Sequence, residues 1–138
     1  MSTMIIDDMI RNALNVLTSD GTFQINRIDY DEKNFGNVYA VLSSNNQVHI
    51  RFIRDRGVYW CEVGYAGEWY FIEDVFTLID VTFVNKYSDL IDYIAGMASL
   101  IKQNIPQIFQ MFNTKNAKDT QIKIKALAIK RAMGMFQS

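Results

Sequence analysis

The chain has 138 residues, 49% of them apolar, and a net charge of −1. That length suits one domain able to bury a sizeable core, spanning 1–138. The apolar share argues against disorder, and the near-neutral charge against an overall pull towards nucleic acid or membrane. A single cysteine, Cys61, leaves no internal disulfide, so a reducing, cytoplasmic compartment is the expectation.

The opening residues MSTMIIDDMI lack a basic segment, and Asp7 and Asp8 interrupt the apolar run, so no signal peptide is expected. No apolar stretch approaches the ~20 residues of a membrane span. Residues 3–17 instead read as an amphipathic helix. Ile6, Ile10, Ala13, Leu14 and Leu17 share a face, Thr3 or Ser2 serves as cap, and Gly21 ends it in the left-handed conformation.

In 23–31, Phe23 and Ile25 have the opposite parity to Ile28 and Tyr30, which a bulge near Asn26 and Arg27 reconciles. Residues 38–43 form a clearer strand. Ser44-Asn45-Asn46 then reads as a hairpin turn, with Asn accepting positive φ. Residues 47–54 alternate, with Val48, Ile50 and Phe52 against His49, Arg51 and Ile53. Asp55-Arg56-Gly57 is a second turn, and 58–65 the next strand. Large side chains occupy both parities of these strands, so either helices cover parts of both faces or one face is used for binding.

After Ala66-Gly67, the segment Glu68-Trp69-Tyr70-Phe71 leads into a short helix over 72–79, and 81–84 is a loop or short strand. Ser88 is placed to cap a long helix in which Leu90, Ile94, Met97, Ile101, Ile105, Ile108 and Phe112 keep one phase across Pro106, so a kink is expected there rather than a break. Residues 119–136 form the last helix, with Ile122, Ala126, Ile129, Met133 and Phe136 as its apolar face. Helix, then strands, then helices specifies an α+β fold. It comprises an antiparallel β-meander of four or five strands with an N-terminal helix and two or three C-terminal helices.

The run Ile50 to Gly57 (IRFIRDRG), the Glu68-Trp69-Tyr70 that follows the aromatic strand, and the helix opening at Ile72-Glu73-Asp74-Val75 together resemble small uncharacterised bacterial domains. Some of these look like immunity proteins encoded beside polymorphic toxins. The resemblance implies a non-enzymatic protein that binds a protein partner, and it brings no catalytic residues.

The residues themselves supply little chemistry. His49 is the only histidine, which leaves a triad or a metal site without the partners it needs, so neither a catalytic set, a metal nor a cofactor is expected. Cys61, beside Trp60, reads as a core residue. Arg51, Arg54 and Arg56 surround the second hairpin and form either a solvated turn or a clamp for carboxylate or phosphate. Tyr59, Tyr65, Trp69 and Tyr70 are either core or a binding patch, with Tyr59 and Tyr65, of one parity, the better candidates for exposure. The three arginines with Tyr59, Tyr65 and Trp69 are the candidate partner-binding set.

Charge is unevenly spread. Residues 62–114 carry seven acids and two bases, a net −5, whereas 115–138 carry six bases and one acid, a net +5. The acidic stretch 62–92 suits a basic partner such as a nuclease toxin. Lys123, Lys130 and Arg131 form a candidate basic stripe, and with it the alternative function of a small nucleic-acid-associated regulator.

Overall fold

The alternation of the central strands builds a five-stranded antiparallel sheet in the computed structural model, which describes residues 3–83 and 86–137, with side chains for 5–83 and 86–134. Ser2, Val84 and the side chains of Thr3 and Phe136, to which a cap, part of a loop and part of a helix face were assigned above, lie outside the described residues. The strands are β1 (Phe23–Asp31), β2 (Asn37–Ser44), β3 (His49–Asp55), β4 (Val58–Tyr65) and β5 (Glu68–Phe71), arranged in the order of the chain. Six helices accompany them among the described residues: α1 (Thr3–Ala13), α2 (Asn15–Thr18), α3 (Ile72–Leu78), α4 (Leu90–Gln103), α5 (Ile105–Met111) and α6 (Ala117–Gln137). No helix of the described residues is long and apolar enough to cross a membrane.

Turn chemistry fixes the register. Asp55 pairs with Val58 across Arg56 and Gly57, and Tyr65 pairs with Glu68 across Ala66 and Gly67. All four central residues have positive φ, as a two-residue type I′ hairpin requires. Ala66-Gly67 is therefore a hairpin, and Glu68–Phe71 is a full edge strand. In the β2–β3 connection the left-handed residue is Gln47 (φ 65°), not Asn45 or Asn46. The bulge in β1 falls where the parity change demands it, between Ile25 and Arg27. It keeps Phe23, Ile25, Ile28 and Tyr30 all turned to the core.

One sheet face is packed against helices. Ala40, Phe52 and Cys61 are aligned across β2, β3 and β4, and Leu42, Ile50, Val63 and Tyr70 across β2 to β5. All seven are buried. Ring contacts tie these strands to the helices above: Phe52 to Tyr93 at 6.5 Å, Tyr70 to Phe112 at 5.7 Å and Phe23 to Phe109 at 5.9 Å between centroids. Burial of Ile10 from α1, Leu17 from α2 and Leu14 at their junction, and of Ile94, Met97 and Ile101 from α4, completes the core. Each such side chain contributes roughly 1.5–3 kcal/mol.

The helices depart from expectation at their ends. The first is split at Leu14, whose φ of −88° and ψ of −2° interrupt the helix between α1 and α2. Asp89, not Ser88, caps α4, accepting a hydrogen bond from the Asp92 amide at 2.9 Å. At Pro106 the helix breaks instead of kinking: Asn104 leaves helical geometry (φ −120°, ψ 16°), and Pro106 sits in the first turn of α5, where a missing N–H is harmless. The Asn104 side chain donates to the Leu100 carbonyl at 2.8 Å, covering part of the exposed helix end. The apolar phase nevertheless carries through, with Ile101, Ile108 and Phe112 all buried.

At the other end of α4, Tyr59 donates its hydroxyl hydrogen to the Tyr87 carbonyl at 2.6 Å, and the Tyr87 ring lies against Gly96. A Cβ at Gly96 would overlap the Tyr87 phenol group. Gly96→Ala is expected to destabilise the protein by about 1–3 kcal/mol, the usual cost of overpacking, despite its gain in helix propensity. Urea unfolding followed by circular dichroism checks this; an unchanged midpoint contradicts the packing.

Candidate functional site

Strand parity dictates a second sheet face opposite the core. On it, Arg51 of β3 stands between Val41 of β2 and Glu62 of β4, with Phe71 of β5 beyond. The adjacent row carries Tyr39, Ile53 and Trp60, and the next Ser43, His49, Gly64 and Trp69. Side chains of this face are mostly half-buried rather than sealed.

The face is organised around the Arg51 guanidinium. Its carbon lies 4.0 Å from the Trp69 ring centroid and 5.9 Å from that of Tyr39. Its Nε forms an ion pair with Glu62, and a terminal nitrogen donates to the Tyr39 hydroxyl at 3.2 Å. Arg27 covers Tyr39 from the β1 side at 5.2 Å and pairs with Asp29. His49 lies 6.3 Å from Trp69. The result is a row of rings and guanidinium groups, His49–Trp69–Arg51–Tyr39–Arg27, running across the sheet. The Arg51 and Glu62 side chains are only 21% and 12% exposed, so this ion pair is screened less than a surface pair. Burial opposes the Arg51 charge, but the hydrogen bonds that Arg51 donates to Glu62 and Tyr39 outweigh it and raise its pKa above the ordinary arginine value.

Within this row the ring and ion-pair contacts join strand to strand; at the edge of the face, Phe71 meets Arg131 of α6 (Ala117–Gln137). The helix-facing residues meet helices instead. Tyr59 packs on Tyr93 at 4.8 Å, and Tyr65 on Phe112 at 5.8 Å. The six candidate residues therefore separate. Arg51 and Trp69 stand together on the open face. Tyr59 and Tyr65 belong to the helix-covered side, against the expectation that they are exposed, because they share parity with Cys61 and Val63. Arg54 pairs with Val38 and Tyr59 on that same side, with its Nε buried. Arg56 lies exposed in the hairpin turn, its amide donating to the Asn37 side chain at 2.8 Å and its guanidinium near Asp55. The three arginines thus form no clamp. Residues missed in the sequence are Tyr39, Trp60, Glu62 and Arg27. The phase set by Cys61, a residue type that is usually buried, was the signal that selects them.

Neither a thiol nor a metal site emerges. Burial pushes the Cys61 thiol well above its ordinary range, with Glu73 and Glu62 adding to the effect. No group of three or more His, Cys, Asp or Glu residues is arranged to hold a metal among the described residues. Cys61 is expected to resist a thiol reagent such as dithionitrobenzoate at pH 8 in the folded protein and to react rapidly in urea; rapid native reaction contradicts its burial.

The basic stripe also divides. Arg131 turns inward to pair with the buried Asp74 of α3, its guanidinium 5.8 Å from the Phe71 ring, while Lys123 pairs with Asp119 at 3.0 Å along α6. The acidic stretch loses Glu62 and Asp74 to internal ion pairs in the same way.

Comparison of the chain with family models, with curated proteins and with solved structures finds no match.

Trp69 lies directly over Gly64, and a Cβ at that glycine would approach the indole to 2.8 Å. Gly64→Ala is expected to lift Trp69 from the sheet and loosen its contact with Arg51. Tryptophan emission should shift to longer wavelength, with about 1–2 kcal/mol lost in stability. An unshifted spectrum contradicts this placement.

Proposed function

We propose that this protein is a non-enzymatic binding protein of the immunity type, taking a protein partner on its open sheet face. The observation that carries this reading is the row of rings and guanidinium groups centred on Arg51, held by contacts among strand residues on a face turned away from the helical core. Tyrosine, tryptophan and arginine are the side chains that most often dominate binding energy. Here they are positioned before any partner arrives, so little rotamer entropy remains to be lost on association.

Two further considerations support it. The IRFIRDRG run that resembles immunity-type domains contributes Arg51 and Ile53 to this face, and Ile50 and Phe52 to the core. The face also carries both charge signs, with Arg27, Arg51, Asp29 and Glu62, which favours discrimination between partners over general attraction to a polyanion. The nucleic-acid reading receives less support, because Arg131 and Lys123 are engaged in ion pairs.

The test is co-expression with the product of the reading frame next to the protein's own. The expected result is rescue of growth and a complex that co-purifies. Trp60→Ala and Tyr39→Ala should each weaken that complex by about tenfold or more while leaving the far-ultraviolet spectrum unchanged. Rescue that is absent, or that survives both substitutions, overturns the reading.

A further inference from the structure

The last helix uses only part of its circumference to hold itself to the body. Ala117 and Ile124 are buried, and Arg131 reaches Asp74; these three are seven residues apart and lie on one line along α6. On the opposite side, Ile122, Ala126, Ile129 and Met133 follow one another by four, three and four residues. Ile122, Ile129 and Met133 are 60%, 61% and 54% exposed. An open apolar groove of about 500 Å³ runs beside them, lined by Ala126, Ile129, Lys130, Met133 and Gly134. The apolar face that the sequence predicts for this helix therefore faces out instead of packing on the core.

A four-three-four repeat is the spacing of a coiled-coil seam, with Ile122 and Ile129 at d and Ala126 and Met133 at a. The inward residues then fall at f, the position farthest from a seam. The flanking e and g positions from 118 to 130 are Lys118, Lys123, Lys125 and Lys130, of which Lys123 also makes an exposed pair with Asp119 that a partner's carboxylate can replace. The apolar strip is narrow, about 60° of the helix circumference at 100° per residue, whereas a helix lying in a lipid interface presents a broad apolar face.

We propose that the outer face of α6 is a docking seam for an acidic amphipathic helix of a protein partner, one with apolar residues at a and d and Glu or Asp at e and g. Charge complementarity selects this occupant. A second copy is disfavoured in either direction: a parallel pair sets Lys125 against Lys130 and Lys118 against Lys123, and an antiparallel pair sets e-position lysines against e-position lysines. This seam is separate from the open sheet face and stands whether or not that face binds a partner.

The probe is a labelled peptide of about three heptads with Leu at a and d and Glu at e and g, titrated into the full chain by fluorescence anisotropy. Two controls accompany it: the same peptide with Lys at e and g, and one of identical composition with its apolar spacing scrambled. The expected result is binding to the Glu peptide at least about tenfold tighter than to either control, weakened by Ile129→Ser. Lys123→Glu with Lys130→Glu should reverse the preference towards the Lys peptide. All three substituted positions are exposed, and circular dichroism verifies that the variants fold. Equal affinity for the Glu and scrambled peptides, or no binding, overturns the proposal. So does binding to vesicles of anionic phospholipid in place of the peptide, or sedimentation of the free chain as a dimer that Ile129→Ser dissociates.

Discussion

The two-residue period of strands β2 to β4 is the constraint on which the rest of the structure depends. Leu42, Ile50, Val63 and Tyr70 form a row under the helices, and the neighbouring positions Val41, Arg51, Glu62 and Phe71 form a row on the other side. A slip of one residue would exchange the two sets. It would drive the Arg51–Glu62 ion pair beneath α4 and α5, where desolvating each charge costs several kcal/mol. The ion pair is thus weak as a source of stability and strong as a penalty against the wrong register. The two-residue hairpins at Arg56-Gly57 and Ala66-Gly67 fix the same register locally, and the β1 bulge extends it to the first strand.

Once one face is committed to the helices, the other must keep its own apolar surface from becoming an aggregation site. The sheet solves this with its own side chains. Gly64 leaves room for Trp69 to lie flat, the ring supports the Arg51 guanidinium, and Arg51 reaches both Glu62 and Tyr39. Arg27 closes the row from β1. Such a surface presents aromatic area that is already ordered, which is the condition under which a modest interface binds well.

The fold was largely legible from local pattern. Gly57 marked its turn, the parity change in 23–31 marked the bulge, and the isoleucine phase crossed Pro106 unbroken. What failed was finer. The cap of α4 shifted from Ser88 to Asp89 because either residue can accept the hydrogen bond, and only chain direction chooses between them. The candidate site was legible in part. Arg51 and Trp69 were identified from residue type, but Tyr59 and Tyr65 were assigned outward for the same reason, although their parity with Cys61 places them inward. Residue type names what a side chain is able to do; parity decides which side of the sheet it does it on. The chosen set mixed the two faces because it weighed the first over the second.

The last helix shows the same distinction in a helical period. Its apolar stripe was readable, yet periodicity says only that a stripe exists, not which surface covers it. The deciding contact is long-range: Asp74 on α3 draws Arg131 inward, and with Ala117 and Ile124 this fixes the helix rotation so that Ile122 and Ile129 face away. Asp74 is buried while Arg131 is half-exposed, so a rotation that withdrew Arg131 would leave a buried carboxylate without its cation. The same arginine lies over Phe71, whose cross-strand neighbour is Glu62, the partner of Arg51. The inward side of α6, opposite its seam, therefore meets the open sheet face at a corner built from Arg131 and Phe71. A partner that shifted α6 would have to move Arg131 relative to Asp74 and draw it off the Phe71 ring.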